Sequence, residues 1–324
     1  MKLGGEISMR KIQILNLNPS FDHTGILKNP VESDVVRVDE VVPLASGKGI
    51  DVARVLNTLG YEDYVVANIL GGGVGKLIEN GLKEENINSW NYWIKKDSRI
   101  NYALVREAEK RTLMINEHGP KISPAAKDKF LDEIFDWLEN DQIMVLAGSA
   151  IGGISQKDIV SILKKAREKD MHIIIDTSKS YLKACLEEEF NLLKINDKEF
   201  ISAYQDKYDY AFKSKEDFVK VLENENYKKA IITFGKEGSL LYDKGKVIFG
   251  HNEKIFSHYS IGSGDSFLAG YLYGFVNDYS DLEALKLAMA CGAANTRQYG
   301  AGQLKYEHVK EIEDNYLKLE ELKT

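Results

Sequence analysis

The chain has 324 residues, 44% of them hydrophobic, which is enough for a large core, and no apolar run reaches the length of a membrane span. With 43 basic and 50 acidic residues the formal charge is −7, and no basic block or aromatic-basic stripe suits a nucleic acid, so neither nucleic acid nor membrane is an expected partner. The two cysteines, Cys185 and Cys291, exclude a disulfide framework and a cysteine-ligated zinc site, and a cytoplasmic protein is expected.

Apolar β-rich runs alternate with amphipathic helical runs, which predicts an α/β fold: a mostly parallel sheet with helices on both faces, one domain over 9–324 after an extension over 1–8. In chain order the pattern predicts a strand at Lys11–Leu17, a helix at Gly49–Leu59, a strand at Tyr64–Leu70 and a helix at Gly75–Glu85. A helix at Pro124–Leu138, a strand at Ile143–Ala147, a helix at Ser155–Lys169, a strand at His172–Asp176 and a helix at Ser180–Glu188 continue it. Strands at Leu192–Ile195 and Ala230–Thr233 precede helices at Gly264–Val276, Asp281–Arg297 and Tyr306–Glu321. Val31–Val42 and Trp90–Asn116 break the alternation, being strand-like with no helix between strands and with a hairpin turn at Glu107-Ala108-Glu109-Lys110. They predict a small projecting sheet, drawn from about 18–42 and 90–118, that covers a site or pairs with another subunit.

The run Ser260-Ile261-Gly262-Ser263-Gly264-Asp265 joins glycines that free backbone N–H groups to converge on an anion, a helix start that favours negative charge, and a carboxylate. On its own it reads more readily as a tight turn whose Asp265 caps the helix that follows. Ala45-Ser46-Gly47-Lys48-Gly49-Ile50-Asp51 is a second glycine cluster at a helix start: Lys48 can neutralise a phosphate and Asp51 can accept from sugar hydroxyls. It lacks the downstream Lys-Ser/Thr of a Walker loop. Gly71-Gly72-Gly73-Val74-Gly75 fails the dinucleotide spacing. Asn196 and Glu199 stand i, i+3 after a strand, a pair that suits either a hydrated Mg²⁺ or a capping box. Thr233-Phe234-Gly235-Lys236-Glu237-Gly238 ends one strand and starts another.

This ordered set resembles the ribokinase-like (PfkB) sugar kinases from about Ile14 to Gly302. Gly262-Ser263-Gly264-Asp265 is similar to the family's carboxy-terminal signature, and Ala45 to Gly60 to its amino-terminal one. Asn196-Asp197-Lys198-Glu199 matches its Asn-x-x-Glu motif. Asn18-Pro19-Ser20-Phe21-Asp22, Ser98-Arg99-Ile100-Asn101 and Asn116-Glu117-His118-Gly119-Pro120 are similar to motifs of the branch that phosphorylates fructose 1-phosphate and tagatose 6-phosphate.

The resemblance implies a three-layer ribokinase-like fold and transfer of a phosphoryl group from ATP, with Mg²⁺, to a hydroxymethyl group of a ketohexose phosphate. Asp265 would be the base, and the amides of Gly262, Ser263 and Gly264 the anion hole. Asn196 and Glu199 would organise Mg²⁺ through water; Lys194, Asn196, Thr233, Gly235, Gly238 and Asn295 would shape the nucleotide site. Asp22, Gly47 and Asp51 would face the sugar, and Lys48 and Arg99 are the candidates for its phosphate, Arg99 foremost because a guanidinium grips bidentately. A homodimer through the lid is expected. The chain departs from the family pattern at Ser46 (glycine), Asp51 (asparagine), Ser263 (alanine) and Lys179 (glycine), and Ala147-Gly148-Ser149-Ala150-Ile151-Gly152-Gly153 keeps the Gly-Ser of a family motif without its usual Pro-Pro. A kinase for an unphosphorylated sugar or nucleoside, and a non-catalytic sugar- or nucleotide-binding relative, are the alternatives.

Overall fold

The computed structural model describes residues 11–30, 35–205, 207–208, 212, 214–225, 227–253 and 259–322; the extension over 1–8 and the first part of Val31–Val42 lie outside them. The large sheet has ten strands. Its parallel part runs, side by side, β5 (Ser89–Ile94), β4 (Tyr64–Gly71), β1 (Ile12–Asn16), β8 (Ile143–Ala147), β9 (His172–Asp176), β10 (Leu192–Asn196) and β11 (Lys229–Thr233). Antiparallel β12 (Ser239–Asp243), β13 (Lys246–Asn252) and β14 (Leu317–Leu322) complete it. The central runs, such as IQILN and IMVLA, are buried throughout because helices cover both faces.

One face packs against α1 (Lys48–Thr58), α2 (Gly72–Glu84), α8 (Ser263–Val276), α9 (Asp281–Asn295) and α10 (Tyr306–Asn315). The other carries α3 (Pro124–Trp137), α4 (Gln156–Glu168), α5 (Lys179–Cys185), α6 (Asp197–Tyr204) and α7 (Lys215–Asn224). The small-residue face of α8 serves packing: a Cβ on Gly270 would come within 2.9 Å of Ala288, and one on Gly274 within 2.8 Å of Ala284, so α8 and α9 lie nearly backbone to backbone. Asp97 accepts from the Gly73 amide at 2.6 Å and the Val74 amide at 3.3 Å, which explains the third glycine cluster as a capped helix start.

A separate sheet of four strands runs β3 (Glu40–Ser46), β2 (Ser20–Leu27), β6 (Arg99–Arg106) and β7 (Arg111–Asn116). The predicted turn at 107–110 joins β6 to β7, with Lys110 at φ 53. Two parts of the expectation change. Trp90 to Ile94 hydrogen-bonds to β4 and belongs to the large sheet. The helix expected over Tyr306–Glu321 stops at Asn315, and Leu317–Leu322 pairs antiparallel with β13. The reason is its period: Leu317 and Leu319 pack on the core while Lys318 and Glu320 alternate with them, the two-residue repeat of a charged edge strand.

Candidate active site

The carboxyl ends of β9, β10 and β11 and the start of α8 meet at one edge of the sheet, where open α/β folds bind ligands. The chain reaches α8 through Gly262, whose φ of 80 places it in the left-handed region and whose missing Cβ leaves room for Ala301, 2.6 Å away were it present. The first helical bond of α8 runs from the Ser266 amide to the Gly262 carbonyl at 2.8 Å, so the amides of Gly264 and Asp265 begin the helix without a backbone acceptor among the described residues. The Ser263 amide, expected in the anion hole, donates to the Ser260 carbonyl at 3.2 Å.

Asp265 is buried, and burial pushes its carboxyl up to about 6; Lys48 and Lys194 oppose the rise, while Asp176 and Glu199 add to it. Lys194 lies beside the helix start, 3.1 Å from where a Gly264 Cβ would stand. Its amine donates to Asp176 Oδ2 at 2.8 Å, and the Lys48 amine donates to Asp176 Oδ1 at 2.5 Å. Burial works against the charge on Asp176, yet Lys194 and Lys48 outweigh it and hold the carboxyl below its ordinary value. Burial likewise opposes the charge on Lys48, and Asp176, Asp265 and Glu199 overcome it, so Lys48 stays protonated. Lys48 therefore stands in the same charge cluster as Asp265. Sequence reasoning assigns Asp176 no role; its one signal is a carboxylate at the end of the apolar run HIIID.

Asn196 and Glu199 form a capping box: the Glu199 amide donates to Asn196 Oδ1 at 2.9 Å, and the Asn196 amide to Glu199 Oε2 at 3.0 Å. Both residues stay half-buried, and Glu199 is close enough to act on Asp265 and Lys48. Beside them a cavity of about 320 Å³ is lined by Thr233, Gly235, Gly238, Ser263 and Gly264, with Phe267 contributing an apolar wall. Gly238 (φ 104) is required there, since a Cβ would meet the Gly250 carbonyl at 1.9 Å. Asn295 departs from expectation: it is fully buried, while its neighbours Ala293 and Thr296 line the cavity.

The residues expected to face the sugar meet through their side chains. Asp22 accepts from Ser20 at 2.6 Å and from Asn101 at 3.0 Å. Gly47 (φ 122) and Gly49 let α1 start against β1: a Cβ would meet Asn16 at 2.8 Å and 2.7 Å respectively. The two departures touch each other, for the Ser46 hydroxyl donates to Asp51 at 3.1 Å. Arg54 closes that pair, reaching Asp51 at 2.9 Å and the Ala301 carbonyl at 2.8 Å, and also pairing with Glu85. Burial raises the Asp51 carboxyl well above its usual range; Arg54 opposes this, and Asp265 and Asp22 reinforce it. Lys179 takes φ 55, a backbone region that suits the glycine it replaces.

Arg99 donates to the Asn18 carbonyl at 2.9 Å and the Glu117 carbonyl at 3.3 Å, but its buried Nε has no partner among the described residues. Burial lowers its pKa despite the nearby Asp22, Asp51 and Glu117. Oδ1 of Asn18, whose carbonyl Arg99 holds, and Oδ1 of Asn101, whose Nδ2 donates to Asp22, are also buried without partners among the described residues. Unsatisfied groups of this kind are costly unless a ligand completes them.

A family model described as pfkB family carbohydrate kinase matches residues 15–307. Tagatose-6-phosphate kinase of Staphylococcus epidermidis is 27% identical over 303 residues, 93% of this chain and 97% of that protein. Among solved structures, phosphofructokinase-2 from Escherichia coli in complex with substrates and products has a TM-score of 0.85 at 22% identity, over 94% of this chain and 98% of that one. Its tetrameric inhibited form has a TM-score of 0.83 at 22% identity, with the same coverage. At that identity the likeness is one of fold.

Proposed function

Because the chain belongs to the pfkB family of carbohydrate kinases and is a sugar phosphotransferase, we propose that its donor is ATP with Mg²⁺ and its acceptor the hydroxymethyl group of a ketohexose phosphate, of tagatose 6-phosphate or fructose 1-phosphate type. The observation that carries the acceptor reading is Arg99: a half-buried guanidinium with an unpartnered Nε and no ion pair to a carboxylate among the described residues. An acceptor phosphate supplies the missing anion and acceptor atoms. The cavity lined by Thr233, Gly235, Gly238 and Gly264 would take the nucleotide.

In the reaction the acceptor hydroxyl oxygen attacks the γ-phosphorus, its proton passes to the Asp265 carboxylate, and the bond to the leaving ADP oxygen breaks. A base whose carboxyl sits at about 6 is ionised at neutral pH and still basic enough to share a proton in the transition state. The amides at the start of α8, Lys48 and Lys194 face the charge that spreads over the phosphoryl oxygens, and Asp176 keeps both lysines in place. Mg²⁺ keeps most of its waters and needs few protein oxygens. Asn196 and Glu199 fit that demand: their capping box fixes both side chains, and Glu199 brings a carboxylate to the edge of the site. They would hold the ion through water, and the ion would supply neutralisation of the phosphate charge.

The outer face of the small sheet exposes Val41 (47%), Tyr102 (45%), Leu113 (53%) and Ile115 (56%), aligned by the pairing of β2, β3, β6 and β7. We read it as a lid that excludes water and pairs with a second copy of the chain; light scattering should give a dimer, which Leu113→Asp weakens. The carboxylates of Asp22, Asp51 and Asp265 favour a second reading, a hydroxyl-rich acceptor without phosphate. ADP release with fructose 1-phosphate, fructose 6-phosphate, tagatose 6-phosphate and the free sugars decides: turnover confined to free sugars would replace the first reading with the second.

A further inference from the structure

Asn295, at the end of α9, is fully buried and spends its whole amide on the chain around it. Nδ2 donates to the Ile261 carbonyl at 2.7 Å and to Ser263 Oγ at 3.3 Å. Oδ1 accepts from the Gly302 amide at 2.8 Å and from the Ser266 hydroxyl at 3.1 Å. An asparagine amide offers two donor hydrogens and two acceptor lone pairs, and all four are used, so nothing is left for a nucleotide. The orientation is fixed as well, since a flipped amide would set Nδ2 against the Gly302 N–H and Oδ1 against the Ile261 carbonyl.

The groups it joins are the ones that shape the anion loop. Ile261 and Ser263 flank Gly262, and Ser266 opens the first helical bond behind Asp265. Gly302 belongs to the segment against which Gly262 packs, with Ala301 2.6 Å from a Gly262 Cβ. That segment is tied onward to the acceptor side, because Arg54 donates to the Ala301 carbonyl at 2.8 Å and a Gly302 Cβ would stand 2.8 Å from the Asp51 carbonyl.

We propose that Asn295 is a positioning residue for phosphoryl transfer: it clamps the Ile261–Ser266 turn to the 301–302 segment and so aims the Gly264 and Asp265 amides, without touching the nucleotide. The departure at Ser263 joins the same clamp, its hydroxyl accepting the second Nδ2 hydrogen. This rests on the carbohydrate-kinase reading above.

The test is Asn295→Asp, which keeps the size and the acceptors but loses the donors when ionised. The expected result is a kcat lower by about 100-fold, the cost of a catalytic group shifted by about an ångström, with the ADP dissociation constant from calorimetry within about three-fold of wild type. Protonation of the new carboxyl restores one donor, so the variant's kcat should also fall on the alkaline side, a limb the wild type lacks. A weaker ADP affinity with kcat retained would make Asn295 a nucleotide contact and overturn the proposal, as would unchanged kcat. If Asn295→Asp does not fold, Ser266→Ala removes one bond of the clamp: a kcat loss of a few fold at constant ADP affinity supports the proposal, and no loss overturns it. Should the wild type phosphorylate no acceptor, the kinase reading falls by itself. The clamp is then judged by amide exchange: faster exchange at Gly302 and Ser266 in Asn295→Asp sustains it, and unchanged protection removes it.

Discussion

The end of the cleft proposed for the donor, from Thr233 to Asp265, is largely backbone, whereas the end proposed for the acceptor, around Asp22, Asp51 and Arg99, is made of side chains on separate elements. At the end proposed for the donor, glycines at φ 104 and 80 and the first amides of α8 form the surface, and Asp265 is the one carboxylate proposed to take the proton. At the acceptor end, Asp22 leans on Asn101, Ser46 on Asp51, and Arg99 on the carbonyls of Asn18 and Glu117. A backbone site suits a ligand that rarely changes, such as a nucleotide phosphate. A side-chain site can be re-specified one residue at a time, and this chain's departures at Ser46 and Asp51 lie there.

The largest effect that separates the two ends is expected from Asp265→Asn, which should lower kcat/KM by about 10³- to 10⁴-fold for every acceptor. The same variant should melt higher. The Asp265 carboxyl sits at about 6 in the folded chain against an ordinary value of 3.8, so the native state holds its proton more tightly and the ionised group destabilises the fold above about pH 6. That cost fades as pH falls from 6 towards 4, and at neutral pH its removal is worth at most about 3 kcal/mol. In the wild type, kcat/KM should fall about tenfold per unit below pH 6 as the base is protonated.

Next comes Asp176→Asn, which leaves the Lys48 and Lys194 amines without their shared carboxylate. Breaking a buried charge cluster from one side costs about 3–5 kcal/mol, and a melting temperature unchanged from wild type would show that Asp176 does not bind the two lysines together. Asp51→Asn should be the smallest. Ser46 and Arg54 keep an oxygen to donate to, so stability should move by about 1 kcal/mol or less. Replacing a carboxyl that can ionise beside the proposed anionic acceptor should lower its KM a few fold, and a raised KM would mean that the carboxyl itself grips the substrate.

Why the ends differ also explains what could be read from residues alone. Gly262 to Asp265 and Asn196 to Glu199 are local, so spacing reveals them, and the capping box and the glycine-led helix start both follow from it. The parallel strands are legible for the same reason, as buried apolar runs such as IIID before a helix. Asp176 escapes such reading because its partners Lys48 and Lys194 are 128 and 18 residues away and only the sheet brings them together. Asn295 enters only through the family resemblance, and its bonds to Ile261 and Gly302 lie across a loop that spacing does not show. Leu317–Leu322 merges with the preceding helix in sequence because alternation over only Leu317 to Glu320 is too short to fix a period until β13 offers an edge.

Arg99 is the group on which a sugar phosphate acceptor depends in the proposed reaction. The direct measurement is the ratio of kcat/KM for fructose 1-phosphate, or whichever ketohexose phosphate turns over, to that for free fructose, in the wild type and in Arg99→Ala. A ratio of about 100 or more is expected in the wild type, falling towards one in the variant while the KM for ATP stays put, since a charge-assisted bidentate contact is worth about 1.5–3 kcal/mol per bond. A wild-type ratio near one, or a high ratio that survives Arg99→Ala, would show that Arg99 does not select a phosphorylated acceptor.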